Sequence, residues 1–264
     1  MKYTIKTFVS ALAFASVMLM TTAQASAQDL GFSIPDKETV EAQKKARDNK
    51  AASQSIGRAI MDAFELYEED KIKEAIAVLE EQEPDPGYDS AYLARFLGNL
   101  YAADERMGDA LSVLKSAVDQ DVLGWNDQAA AMKLVGQISL QEEKYEQSLE
   151  YLRKWVQFTG ERDAQVFLYM ANAHYQMKNF AQIIPFARVA LQESEKPDKN
   201  IYNLMMASYY ERKMYPQAIE VLEEGLNKLP EQTGWWPQLA QFYMLEENLD
   251  KSLQTMEIAY LAGY

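Results

Sequence analysis

The side chains that could do chemistry in this chain are few. Its 264 residues contain one histidine, His174, and no cysteine. A catalytic base or a metal ligand needs converging partners, and neither a second histidine nor a thiolate is present to supply them. Acidic pairs such as Glu223 and Glu224 consist of adjacent residues. Adjacent side chains diverge by about 100° on a helix, so they do not converge as a catalytic dyad does.

The sequence also lacks the short motifs of nucleotide binding and nucleophilic catalysis, with no G-x-G-x-x-G, G-x-x-x-x-G-K-[ST] or G-x-S-x-G. We therefore predict a non-enzymatic protein with no catalytic residue, no metal and no cofactor. The alternative is a hydrolase or small-ligand enzyme that relies on His174. We interpret His174 as a packing residue, because it occupies a position at which related segments carry Tyr101, Tyr209 and Tyr243.

Charge narrows the range of partners. Asp and Glu total 40 against 26 Lys and Arg, a formal net charge of −14, and 48% of the residues are hydrophobic. The apolar content is sufficient for a folded core, which excludes wholesale disorder. An acidic surface is repelled by nucleic acid and by anionic membrane surfaces, so protein partners are expected.

The N-terminal residues have the layout of a secretory signal peptide. Lys2 and Lys6 precede an apolar stretch over residues 8–20, and an A-S-A pattern follows at 25–27. The apolar stretch of 13 residues is shorter than the roughly 20 that span a bilayer. We therefore predict cleavage after Ala27 and a periplasmic location, with no membrane insertion after cleavage. The alternative is an uncleaved membrane anchor.

The rest of the chain repeats one helix-turn-helix pattern. A small residue, with one exception, returns at intervals of 35, 38, 35, 35 and 34 residues, at Ala75, Ala110, Ser148, Ile183, Ala218 and Ser252. A preceding helix carries its own small residue, at Ala63, Gly98, Gly136, Ala171 and Ala240, with Met206 as the exception. Small residues on both helices allow close packing of their backbones.

This periodicity resembles the tetratricopeptide repeat (TPR). The resemblance implies an all-α, right-handed superhelical solenoid of about six units over residues 53–264, after the signal peptide at 1–27 and a polar lead-in at 28–52. The lead-in ends in a basic run that includes Lys44, Lys45 and Arg47. We interpret this run as a solvated face, the alternative being a dedicated binding patch.

In tetratricopeptide arrays the first helices line a concave groove. The positions beside the packed stripe predict a partner-binding groove formed by Arg95, Asn99, Lys133, Gln137, Asn172, Tyr175 and Asn203, with Gln241 beyond them. Cations and amides at one-turn spacing suit a carboxylate or the backbone of an extended peptide. The alternative is that these are solvated residues without a fixed ligand.

The last predicted helix has an apolar side with nothing following it to cover it. Leu253, Met256 and Tyr260 predict a C-terminal interface, for a partner or for a homo-oligomer, because repeat arrays need a polar cap at their ends. The alternative is that these side chains pack within their own unit.

A closer resemblance rests on five segments, GWWPQLAQFY at 234–243, TMEIAY at 255–260, YLARFLGN at 92–99, DVL at 121–123 and WVQFTG at 155–160. Together they resemble periplasmic tetratricopeptide proteins associated with the TonB energy-transduction system. That resemblance implies an accessory role in TonB-dependent uptake through contacts with the motor proteins. The alternative is an envelope-assembly scaffold for outer-membrane or peptidoglycan machinery.

Overall fold

The computed structural model describes residues 30–47 and 50–263. The predicted signal peptide and its cleavage site after Ala27 lie outside the described residues. Within them the chain forms thirteen α-helices and no strand. The helices are α1 Lys37–Ala46, α2 Gln54–Glu68, α3 Ile72–Glu80, α4 Tyr88–Ala103, α5 Met107–Asp119, α6 Trp125–Gln141, α7 Tyr145–Thr159, α8 Ala164–Gln176, α9 Phe180–Glu193, α10 Lys199–Glu211, α11 Tyr215–Lys228, α12 Trp235–Leu245 and α13 Leu249–Leu261.

Helices α2 to α13 form six consecutive helix pairs, numbered here as units 1 to 6, so the predicted all-α solenoid is confirmed. Each helix packs mainly on its neighbours in the chain. Neighbouring first helices, such as α6 and α8 or α8 and α10, also contact each other more closely than the second helices do. The first helices therefore lie on the inner side of the array.

The small residues predicted from the repeat are buried at the contact between the two helices of each unit. A Cβ atom placed on Gly98 would lie 2.4 Å from Cγ of Leu114, and one on Gly136 would lie 2.4 Å from Cδ2 of Leu152. Ser148 donates a hydrogen bond of 2.8 Å to the carbonyl of Gly136. The serine hydroxyl is therefore tolerated in this buried contact, because the carbonyl of the facing helix accepts its hydrogen bond.

The turn inside each unit contains one residue in the left-handed backbone conformation. The φ of this residue lies between 56° and 60° in all six units, at Asp70, Glu105, Glu143, Lys178, Lys213 and Glu247. The next residue donates its N–H back into the last turn of the first helix, as Arg106 does to the carbonyl of Tyr101 at 2.8 Å. This bond is the 6→1 closure of a Schellman motif, formed here without glycine.

The N-terminal arm, residues 30–47, is part of the folded array. Leu30 is buried in the main core, and the ring of Phe32 lies 6.3 Å from that of Phe186 in α9. Val40 and Pro35 pack on Gly160, whose φ of 69° and close contacts leave no room for a side chain. The arm therefore packs on units 3 and 4, although the unit that follows it in the sequence is unit 1.

Arg47 ends this arm and departs from the solvated face predicted for the basic run. Its Nε donates to the carbonyl of Leu123 at 2.6 Å, its Nη2 lies 2.9 Å from Oδ1 of Asp121, and its guanidinium covers the ring of Phe158 at 5.1 Å. The arginine is used as a structural contact because the turn between α5 and α6 presents a carbonyl and a carboxylate together.

Candidate functional site

The two cations predicted for the groove are already paired with carboxylates of the next unit. Arg95 in α4 lies 3.1 Å from Asp127 in α6, and Lys133 in α6 lies 2.7 Å from Asp163 before α8. The side chains of Arg95 and Lys133 are only 18% and 28% exposed. The repeat pattern predicts cations that could hold a partner's carboxylate, whereas in the structure these two side chains join units 2, 3 and 4.

Each of the two cations also lies over an aromatic ring, which restricts the position of the side chain. Arg95 is 4.5 Å from the ring centroid of Phe96, and Lys133 is 5.1 Å from that of Trp155. Such contacts stabilise the cation where water is partly excluded. The pairs therefore act as inter-unit ties.

Asp163 has two structural roles in this arrangement. It is the N-cap residue of α8, accepting a hydrogen bond from the N–H of Val166 at 3.0 Å, and it pairs with Lys133. Burial favours the neutral carboxyl, but the hydrogen bonds from Lys133 and Val166 together with the lysine charge outweigh it, and the pKa of Asp163 is lowered. The carboxylate form is therefore the one that closes this junction.

Among the predicted amides, Asn203 also serves the junction between units. Its Oδ1 accepts a hydrogen bond of 3.1 Å from Nε1 of Trp235, which is buried at the start of α12. Gln137 and Asn172 are half-buried, and Gln241 is exposed. Asn99 differs from all of these because it lies at the edge of an open pocket.

That pocket lies between the first two units and is mostly apolar. It has a volume of about 280 Å³ and is lined by Ile60, Ala63, Phe64, Tyr67, Leu79, Phe96, Asn99 and Leu100. Phe64 and Tyr67 are 55% and 41% exposed although they face the pocket. Large apolar side chains left open to water beside a single amide are typical of a recognition site.

Exposed apolar side chains recur at one position of the first helices in units 1, 4, 5 and 6. Tyr67 is followed at the corresponding positions of units 4, 5 and 6 by Tyr175, Tyr210 and Met244. All four are between 39% and 58% exposed. We call these four residues the groove stripe. Of the predicted groove residues, Asn99 and Tyr175 therefore lie on this apolar surface. Arg95, Lys133 and Asn203 instead form contacts between units.

Phe64, Tyr67 and Tyr210 are exposed groove residues that were not among those predicted, although the sequence contains a signal for them. Phe64 directly follows the small residue of its helix, as Asn99, Gln137 and Asn172 do in theirs. Extending the repeat alignment to unit 1 and reading apolar as well as polar groove positions would have found them.

His174 has the surroundings of a packing residue. Its ring lies 5.0 Å from that of Phe186, and within the described part of the chain its buried Nδ1 has no hydrogen-bond partner. Burial lowers the pKa of His174 below its ordinary value of 6.5. In residues 30–47 and 50–263 no group of three or more His, Asp or Glu side chains is arranged to hold a metal ion. No helix in these ranges is both long enough and apolar enough to cross a membrane.

The predicted C-terminal residues do not pack within their own unit. Leu253, Met256 and Tyr260 are exposed along one side of α13. Trp235, which opens unit 6, is buried instead and contacts Tyr202 in the preceding unit. Apart from Met244 and Leu245 of α12, the exposed large apolar side chains of this unit belong to its second helix. That it is an interface remains a prediction.

Comparison with known proteins identifies the fold. No protein-family model matches the chain, and no curated protein matches its sequence. Among solved structures, a tetratricopeptide repeat protein from Parabacteroides merdae aligns over 79% of this chain and 80% of its own, at 13% identity and a TM-score of 0.54. The chain has the tetratricopeptide-repeat fold.

Two further structures support this assignment. The C-terminal part of a TPR repeat-containing protein from Cytophaga hutchinsonii aligns over 77% of this chain and 80% of its own, at 15% identity and a TM-score of 0.57. YrrB, described as a TPR protein with an unusual peptide-binding site, aligns over 71% of this chain and 90% of its own, at 16% identity and a TM-score of 0.53. At these identities the likeness shows the fold alone.

Proposed function

We propose that this protein is a non-enzymatic scaffold whose inner groove binds an extended segment of a partner protein. The observation that carries the proposal is the apolar pocket between α2 and α4, together with the groove stripe. Apolar surface that is left open costs free energy in water, and a partner's side chain that covers it restores that free energy. The solved structure of YrrB, a TPR protein with a peptide-binding site, agrees with such a use of this fold.

The chemistry of the pocket specifies the anchor of that segment. Its walls are apolar, and its volume of about 280 Å³ accommodates one large aliphatic or aromatic side chain. Asn99 at its edge offers both a donor and an acceptor to the backbone beside that side chain. Because the chain carries a net charge of −14, a basic partner is favoured, and the association should weaken as salt rises.

We further propose that the protein works in the periplasm as an accessory component of TonB-dependent energy transduction and uptake. The support is the signal-peptide layout at residues 1–27 and the resemblance of five segments to TonB-associated periplasmic proteins. The partners would then be components of the TonB motor.

In-cell crosslinking of the tagged chain, followed by capture and mass spectrometry, tests both proposals. The wild type is compared with Phe64→Ala/Tyr67→Ala, which opens the pocket, and with Met61→Ala. Met61 is a matched control because it is exposed on the same helix without lining the pocket. We expect TonB-motor components with the wild type and the control, and several-fold less with the double variant.

The outcomes separate the two levels of the proposal. Partners from outer-membrane or peptidoglycan machinery, lost on the same substitutions, would keep the groove and replace the TonB assignment with an envelope-assembly scaffold. Equal capture of every partner by all three chains would contradict the groove itself.

A further inference from the structure

The second helix of each interior unit has an apolar side that the next unit covers. In unit 5 this side consists of Ile219, Leu222 and Leu226 of α11, which are 9%, 0% and 8% exposed. They are buried because the first helix of unit 6, α12, packs across α11. In this array, the apolar side of a second helix is thus buried by the first helix of the following unit.

Among the described residues, helix α13 has the same side with no helix packed on it. The positions 34 residues after those of α11 are Leu253, Met256 and Tyr260, and they are 71%, 46% and 79% exposed. Within the described residues no helix follows α13 to cover them. Three large side chains are therefore held in a geometry that elsewhere in this chain always receives a helix.

The opposite end of the array is closed by charge. In α4 the side that faces unit 1 consists of Leu93, Leu97 and Leu100, which belong to or pack against the hydrophobic cluster of that unit. The corresponding positions of α2, 35 residues earlier, are Arg58, Asp62 and Glu65, all exposed. A second copy stacked head to tail would bury these three charged side chains against Leu253, Met256 and Tyr260, which is unfavourable.

A carboxylate beside the apolar side of α13 has counterparts in two other units that accept a hydrogen bond from the next helix. Glu257 of α13 corresponds to Glu80 in unit 1 and Glu223 in unit 5. Glu80 accepts a hydrogen bond of 2.6 Å from the hydroxyl of Tyr101, and Glu223 accepts one from the hydroxyl of Tyr243. Both tyrosines belong to the first helix of the following unit. The exposed Glu257 is therefore the acceptor for a donor on a helix that covers α13.

A second copy paired side by side is also disfavoured by charge. Glu257 borders the apolar side of α13 and directly follows Met256, which lies near the middle of that side. Two copies of α13 packed antiparallel about a two-fold axis at Met256 would place Glu257 of one copy near Glu257 of the other. Like charges at such a contact oppose self-association.

We propose that α13 binds an amphipathic helix of a partner protein, seated where the first helix of a seventh unit would lie. The partner helix covers Leu253, Met256 and Tyr260 with an apolar stripe, and it offers Glu257 a tyrosine hydroxyl or a Lys or Arg side chain. This surface lies on the second helix of unit 6 and is separate from the groove, so the chain has two independent contact surfaces.

Site-specific photo-crosslinking in the native cells tests the proposal. The full tagged chain carries a benzophenone amino acid in place of Met256, and a comparison chain carries it in place of Glu220, which is exposed on α11. We expect a discrete product from position 256 and none from position 220. Mass spectrometry of the product should map the crosslink to a helical segment of another protein with apolar residues three and four apart and a Lys, Arg or Tyr beside them.

A second substitution makes the result specific. Glu257→Lys, introduced into the chain with the probe at 256, should reduce the product several-fold, while the thermal midpoint stays unchanged because Glu257 is exposed. The product should persist in Phe64→Ala/Tyr67→Ala, which separates this surface from the groove. A crosslink between two copies of this chain, no product above that from position 220, a non-helical target, or a yield indifferent to Glu257→Lys would each overturn the proposal.

Discussion

Arg95 in α4 and Asp127 in α6 form an ion pair of 3.1 Å between two first helices that the repeat places in successive units. The guanidinium also covers Phe96 and is largely buried. The pair therefore stabilises the junction between units 2 and 3. A substitution of Arg95 is expected to lower the stability of the fold, whether or not a partner binds there.

A double-mutant cycle measures this contribution. Arg95→Met should lower the free energy of unfolding by about 1–2 kcal/mol, since it leaves a half-buried carboxylate without its partner. Asp127→Asn in the Arg95→Met background should then cost little, which gives a coupling energy of about 0.5–1 kcal/mol. Urea unfolding of the four chains checks this, and strictly additive losses would show that the two residues do not interact.

Lys133 and Asp163 extend the same conclusion to experiments on the groove. Arg95→Glu combined with Lys133→Glu would place new carboxylates within reach of Asp127 and Asp163, and repulsion would loosen two junctions. Loss of partner binding in that variant would report a damaged array, so the groove is better tested at Phe64 and Tyr67, which are partly exposed.

Close helix packing predicts a sharp contrast between two glycines. Gly98→Ala should destabilise the chain by about 1–3 kcal/mol, because its Cβ would overlap Leu114 in a filled core. Gly108→Ala is the control, since nothing lies within 4 Å of a Cβ there, and it should be neutral or slightly stabilising. Thermal unfolding followed by circular dichroism distinguishes them. Equal midpoints for both variants would argue against the predicted packing.

The buried imidazole of His174 predicts a pH-dependent loss of stability. Burial lowers its pKa in the native state, so as the pH falls below the ordinary value of 6.5 the unfolded chain binds a proton that the native chain resists. The contribution of His174 is therefore complete above that pH and is lost as the pH falls. His174→Phe removes this term, and its unfolding free energy should fall less than that of the wild type between pH 7.5 and 5.5. Parallel losses in the two chains would mean that the imidazole protonates freely in the fold.

The N-terminal arm should contribute to the stability of units that are distant from it in sequence. Leu30→Ala, which empties a buried site, should cost about 2–3 kcal/mol. Arg47→Ala should also destabilise, through the lost bonds to Asp121 and to the carbonyl of Leu123. Lys45→Ala is the control because Lys45 is exposed on α1. Unfolding midpoints that do not change in Leu30→Ala would show that the arm is not docked in solution.

The repeat itself was predictable from sequence because its packing needs small residues at fixed intervals, such as Ala110 and Gly98. The arm was not, since Arg47 and Asp121 are 74 residues apart and no periodicity connects them. The ion pairs of Arg95 and Lys133 were not predictable for a similar reason. Their acidic partners lie in the following unit, outside the motif that identified the groove. The left-handed residue of each turn escaped notice because it is Lys178, Glu105 or another residue without the glycine signature.

Selection of a displayed random-peptide library on the purified chain, residues 28–264, tests the groove most directly. The account predicts enrichment of peptides that share one large apolar residue. Their affinity should fall at least tenfold in Phe64→Ala/Tyr67→Ala and stay unchanged in Met61→Ala. A selection in which no enriched peptide loses affinity for the double variant, or one that enriches no sequence, would contradict the assignment of this pocket as the binding site.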